Sequence, residues 1–227
     1  MLHTSFPRVK VCCIGSVREA WTAIAHGASA IGLVSEMPSG PGVIEESLIR
    51  EIARAAPPAV ATFLLTCKQD APSIIEQQRR CGANTIQICD RLERGSYDEI
   101  RAELSGIKIV QVIHVCGEES VEEAMEVAAR VDAILLYSGN QKLAVKELGG
   151  TGRTHDWRLS RRIVESVAVP VFLAGGLRAE NVREAFDEVR PFGLDVCSGV
   201  RTNGHLDEEK LARMFEALRE TAYQSAI

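Results

Sequence analysis

Two apolar patterns alternate along the chain. Residues 9–14, 30–34, 60–66, 85–89, 108–114, 132–136, 171–173 and 194–196 are short runs rich in Val, Ile, Leu and Cys, apolar at nearly every position. Strands buried on both faces read this way. Between them, residues 17–28, 45–55, 73–81, 97–104, 120–130, 157–167, 181–189 and 207–223 carry apolar residues three and four apart, the spacing of amphipathic helices. Punctuation agrees with that division. Gly27 and Gly82 stand at helix stops, and Ser16, Ser120 (with Glu123 three places later), Asp156 and Asn181 stand where N-caps belong. Eight strand–helix units in strict alternation predict right-handed parallel crossovers, and eight units close the sheet. The predicted fold is α/β, a single-domain (β/α)8 TIM barrel over residues 1–227. An open doubly wound sheet is the competing arrangement, but no glycine fingerprint follows the first strand.

That architecture sorts the polar residues. Chemistry in such a barrel sits at the C-terminal strand ends. Cys12, Glu36, Cys67, Cys89 with Asp90, His114, Tyr137, the 149–156 loop, Gly175-Gly176 and Ser198-Gly199 therefore become candidates. The last two pairs follow strands seven and eight, where barrels of this kind hold phosphate. Glycine turns let several backbone N–H groups converge on one anion. Gly175, Gly176, Ser198 and Gly199 form the predicted phosphate cup, with Gly152 of the GGTGRT loop beside it.

Composition changes this picture little. A 46% apolar, 25% charged chain with net charge −5 suits a soluble protein and carries no basic run for nucleic acid or anionic membrane. No apolar stretch is long enough to cross a bilayer. Seven cysteines, an odd count placed mostly in strand-like runs behind an N-terminus without an export signal, read as reduced thiols of a cytoplasmic protein. None has zinc-ligand spacing, so neither metal nor other cofactor is expected. The expected partner is a phosphorylated small molecule, bound by a monomer or homodimer.

The segments KVCCI (residues 10–14), GASAIGLV (27–34), GGTGRTHDW (149–157), AGGLRAENV (174–182) and FGLDVCSGV (192–200) together resemble the phosphoribosylanthranilate isomerase family, in its order and over almost the whole chain. The resemblance implies isomerisation of an aminoaldose phosphate to an aminoketose phosphate in tryptophan biosynthesis. It implies that Cys12 is the general base. The family's general acid is an aspartate after strand six, a place held here by Tyr137, with Asp90 as a second candidate. The family arginine that receives the anthranilate carboxylate belongs to the loop after strand two, where SEMPSGPGVIE has no basic residue and Gly42 stands at about that position. His114 and Arg153 are further candidates for the substrate pocket, and Arg201 for the phosphate. Two other readings follow from these departures: a barrel enzyme for a different phosphorylated sugar or cofactor precursor, or a non-catalytic phosphate-ligand binding protein.

Overall fold

The computed structural model describes residues 7–139, 148 and 155–224, the last five by backbone alone. Eight parallel strands close into a barrel in sequence order: β1 (Arg8–Val11), β2 (Ala30–Val34), β3 (Ala61–Thr66), β4 (Thr85–Ile88), β5 (Lys108–His114), β6 (Ala133–Tyr137), β7 (Val171–Leu173) and β8 (Gly193–Val196), with β8 paired back to β1. The helices between them are α1 (Val17–His26), α2 (Glu46–Ala55), α3 (Ala71–Cys81), α4 (Tyr97–Glu103), α5 (Glu119–Ala128), α6 (Trp157–Ser166), α7 (Val182–Val189) and, after β8, α8 (Glu208–Gln224). A 3-10 turn (Ser198–Val200) and a small hairpin of β9 (Arg201–Thr202) and β10 (His205–Leu206) separate β8 from α8.

The strand pattern explains why both faces are apolar. Val9, Val11, Ile31, Leu33, Leu64, Ile86, Ile88, Ile134 and Leu136 belong to the layer shared with helix residues such as Ile49, Ile52 and Ile74. Their alternates, among them Ala30, Val34, Phe63, Leu65, Val110, Val112, Leu135 and Phe172, fill the barrel interior. Successive strand residues point to opposite faces, so each strand needs apolar residues at every position. Burial of the two layers is the main stabilising term, at roughly 25 cal/mol per Å² of apolar surface.

Local chemistry sets the element ends. Ser16, Asp70 and Ser96 accept from the N–H three residues on at 3.0–3.1 Å, satisfying donors the helices leave unpaired. Gly27 and Gly82 end α1 and α3 in the left-handed conformation. Asp156 accepts from Arg158 N–H at 2.9 Å and caps α6 as expected. Two expected caps are corrected. The Ser120 hydroxyl accepts from Cys116 N–H at 3.1 Å and bonds to the His114 carbonyl, so it ties down the β5–α5 connection while α5 begins at Glu119. Asn181 bonds a turn rather than its helix, as the next subsection describes. Strand one also ends before residue 14, at Val11, and Cys13 takes φ 62°, which an extended chain cannot include.

Candidate active site

The β1–β8 register builds the floor of the site. Lys10 lies opposite Asp195 and Val11 opposite Val196. With alternation, Lys10 and Asp195 share one inward layer, and Cys12 and Cys197 lie one step nearer the rim. Lys10 is fully buried, donates to Asp195 Oδ1 at 2.8 Å, and places its Nζ 5.2 Å from the centre of the Phe63 ring. Burial opposes the ammonium, yet the Asp195 charge and the neighbouring Cys12 and Cys13 outweigh it and hold Lys10 above its ordinary value. Burial pushes the Asp195 carboxyl up while Lys10 pulls it back. Removing either partner would strand the other charge in the interior.

Cys12 is 5% exposed and lines the cavity at the C-terminal mouth of the barrel. A hydrogen bond from the Cys13 side chain and the charge of Lys10 hold its thiol below the ordinary value, against burial and the Asp195 charge. Cys13 behaves oppositely: its partnership with Cys12, then Cys197 and burial, push its thiol up. Its Sγ lies 2.9 Å from Cys197 Sγ and 3.5 Å from the Pro41 carbonyl. The two adjacent cysteines are thus differentiated, Cys12 toward thiolate and Cys13 toward thiol.

Two glycine turns form the opposite wall. Gly175 and Gly176 adopt φ 96° and 62°, which favour glycine, and they line the cavity with Ser198. Asn181 accepts from Arg178 N–H at 2.9 Å and donates to the Gly176 carbonyl at 3.0 Å, fixing the turn between β7 and α7. Gly199 packs directly on the Leu177–Arg178 backbone. A side-chain carbon there would lie 2.9 Å from Arg178 Cα and collide with the Leu177 carbonyl. The loops after β7 and β8 are therefore in contact, and their small residues share one concavity that continues outward past Gly199 to Lys210 and Arg213.

The other expected residues distribute unevenly. Tyr137 lines the cavity and makes an edge contact with the His114 ring at 6.1 Å. His114 is buried, with Nε2 3.0 Å from the Cys89 carbonyl, and burial lowers its pKa so that it stays neutral. Asp90 is 3% exposed, accepts from Arg91 N–H at 2.8 Å, and is not among the residues lining the cavity. His114 is absent from that lining as well. Arg201 is corrected from a phosphate cation to a clamp: it donates to the Cys12 and Gly204 carbonyls at 3.2 and 2.9 Å and pairs with Glu19 at 3.3 Å. Gly152 and Arg153 lie outside the described residues.

Sequence reading missed the interior polar groups. Lys10 and Asp195 were visible as single charges inside otherwise apolar strands, a costly placement unless paired. Gln87 lines the cavity at 4% exposure, with Nε2 3.7 Å from Cys89 Sγ. Its Oε1 is buried and has no partner among the described residues. The loop after β2 contributes Met37, Ser39, Gly40 and Pro41 to the lining, and no Lys or Arg among the described residues joins them. At Gly42 (φ 81°) an added side-chain carbon would lie 2.9 Å from Cys13 Sγ and 3.0 Å from Cys13 Cα. The position expected for a carboxylate-binding arginine is thus closed by Cys13.

Comparison with known proteins fits this geometry. The family model for N-(5'phosphoribosyl)anthranilate (PRA) isomerase matches residues 9–217. N-(5'-phosphoribosyl)anthranilate isomerase 2 of Methanosarcina mazei is 37% identical over 206 residues, covering 90% of each chain. The crystal structure of phosphoribosyl anthranilate isomerase from Thermotoga maritima superposes with a TM-score of 0.78 at 26% identity, over 94% of this chain and 99% of that one. A phosphoribosyl anthranilate isomerase in complex with reduced 1-(o-carboxyphenylamino)-1-deoxyribulose 5-phosphate gives 0.76 at 26% identity, over the same shares. With the family model matched over residues 9–217 and a relative 37% identical over 90% of the chain, the protein belongs to the N-(5'-phosphoribosyl)anthranilate isomerase family.

Proposed function

We propose that the protein isomerises N-(5'-phosphoribosyl)anthranilate to the corresponding 1-(o-carboxyphenylamino)-1-deoxyribulose 5-phosphate, with Cys12 as general base. The carrying observation is the pairing in one cavity of a thiol held toward thiolate with a two-loop glycine concavity. The concavity receives the phosphate on the backbone N–H groups of Gly175, Gly176, Ser198 and Gly199. This fixes the ribose between the β1 and β6 strand ends. Tyr137 gives a proton to the ring oxygen as its bond to C1 breaks, leaving an iminium. The Cys12 thiolate takes the proton from C2, forming an enolamine. Cys12 returns a proton to C1, and the C2 hydroxyl gives its proton to the Tyr137 phenolate, leaving the ketone and restoring both groups. Asp195, the carboxyl of the described lining, is committed to Lys10. The buried Gln87 Oε1 is placed to accept from a substrate hydroxyl or the bridging N–H. Metal and cofactor play no part in this scheme. We place the reaction in the cytoplasm, in a monomer or homodimer; among the described residues no helix is long and apolar enough to cross a membrane.

One observation supports a second reading. The described lining has no Lys or Arg, and Cys13 closes the Gly42 position. A phosphorylated aminoaldose whose nitrogen carries no carboxylate fits that rim too. Complementation of a strain lacking the isomerase separates the two. Growth without tryptophan is the expected result. Absence of growth with soluble protein present rejects the first reading and leaves the second.

A further inference from the structure

The interior ion pair has a geometric relation to the proposed base. A carbon added at Gly32 on β2 would lie 2.8 Å from Cys12 Sγ and 3.0 Å from Lys10 Nζ, so thiol and ammonium converge on the gap that this glycine leaves. Gly32 has no positive φ to require glycine. What excludes a side chain there is the space taken by the two groups and by Cys12 Cα, 3.1 Å from the added carbon. Lys10 cannot turn away from them: it is fully buried, tethered by Asp195 and seated on the Phe63 ring.

We propose that Lys10 is a positioning residue whose fixed positive charge maintains Cys12 as the thiolate, with Asp195 holding the ammonium and Gly32 providing the space for the contact. The physical cause is the preference of an anion for a cation a few ångströms away in a medium that screens weakly. The charged and titratable groups around Cys12 come from several elements. Lys10 and Cys13 come from its own strand and turn, Asp195 and Cys197 from β8 and its end, and Cys89 from the end of β4. Arg201, from β9, donates to the Cys12 and Cys13 backbone carbonyls. Asp195 opposes the thiolate, and Cys13 and Cys89 are both held toward the neutral thiol, which leaves Lys10 as the cation facing the sulfur. The Cys13 hydrogen bond is the largest influence lowering the Cys12 thiol, and the Lys10 charge acts in the same direction.

The proposal rests on Cys12 being the base, but its test needs no substrate. Iodoacetamide alkylation of Cys12 is followed against pH in the whole protein, with Cys12 and Cys13 resolved by peptide fragmentation. In the wild type the reaction's midpoint falls below that of a free thiol, about 8.5. Lys10→Met combined with Asp195→Asn removes the cation without stranding the anion. In the folded variant, Cys12 alkylation at pH 7 falls about tenfold and the midpoint rises by about one unit. Lys10→Arg keeps the charge and retains a midpoint below the free-thiol value. An unchanged profile in the folded double variant, or a wild-type midpoint at or above the free-thiol value, overturns the proposal. If the double variant does not fold, Gly32→Ala reads the same contact: a separated pair raises the midpoint, and an unmoved midpoint counts against it. Lack of isomerase activity with a shifted thiol profile defeats only the reaction assigned above.

Discussion

The two sides of the barrel mouth differ in how closely they follow the family pattern. On the β7–β8 side small residues line the concavity proposed to take the phosphate, and Asn181 and Gly199 bond and pack the two loops into one unit. On the β2–β6 side the loop after β2 is without a cation, Gly42 is closed by Cys13, and Tyr137 stands where an aspartate is expected. Backbone N–H recognition depends on chain path, so it persists while the glycines do. Side-chain recognition depends on individual atoms, and each can be replaced separately. The difference teaches that, in the function proposed above, holding the phosphate depends on chain path, whereas the group at the other end of the substrate is met by individual side chains.

Experiments can break or sharpen that contrast. Cys12→Ala removes the proposed base, which lines the cavity between the two sides. It is expected to lower kcat by about 10²- to 10⁴-fold, the usual range for a positioned acid or base, with little change in KM for a phosphate-anchored substrate. Tyr137→Phe probes the altered side; steady-state kinetics should show kcat lower by about 10²-fold. Tyr137→Asp should retain activity if that position is the acid's place. A Phe variant as fast as wild type removes Tyr137 from the mechanism. Gly199→Ala probes the β7–β8 side. It must shift the Leu177 backbone, and on the order of a tenfold rise in KM is expected from the misplaced phosphate.

Smaller effects test the packing beneath. Gly42→Arg alone is expected to destabilise by about 1–3 kcal/mol through collision with Cys13. Cys13→Gly frees that space and relieves a left-handed cysteine, worth about 1–2 kcal/mol. In a denaturation double-mutant cycle the two changes should therefore couple favourably. Additive behaviour would mean that Cys13 does not close the position. Glu19 joins Gly15 N–H, Leu206 N–H and Arg201 at 2.9–3.3 Å. Burial opposes its charge, but these partners hold its carboxyl below the ordinary value. A depressed folded-state pKa contributes stability above the unfolded value, about 4.3, and loses it as pH falls through the folded one. Glu19→Gln should accordingly narrow the stability difference between pH 7 and pH 3 in urea titrations.

Periodicity made the barrel legible. Eight doubly apolar runs can be buried on both faces only if helices cover one side and closure fills the other, so residues such as Ile31 and Val34 already specified opposite layers. The concavity proposed to hold the phosphate was legible because small, glycine-bearing turns follow both of the last two strands. Less visible were features set by side-chain direction. Ser120 looked like a cap, yet its hydroxyl faces the β5–α5 connection. Arg201 looked like an exposed cation, yet it is folded back on the Cys12 and Gly204 carbonyls. Asp90 follows β4 as an active-site acid would, but its carboxyl turns to its own neighbour's N–H. The Lys10–Asp195 pair spans 185 residues of sequence, and only closure of β8 on β1 brings it together.

The central claim is that this rim, with Tyr137 and without a described cation, still isomerises phosphoribosylanthranilate through Cys12. Following the fluorescence of phosphoribosylanthranilate with purified protein tests it most directly. The account predicts a protein-dependent loss of fluorescence that Cys12→Ala abolishes while the variant remains folded. Fluorescence unchanged by the wild-type protein, or lost equally fast with Cys12→Ala, would contradict it.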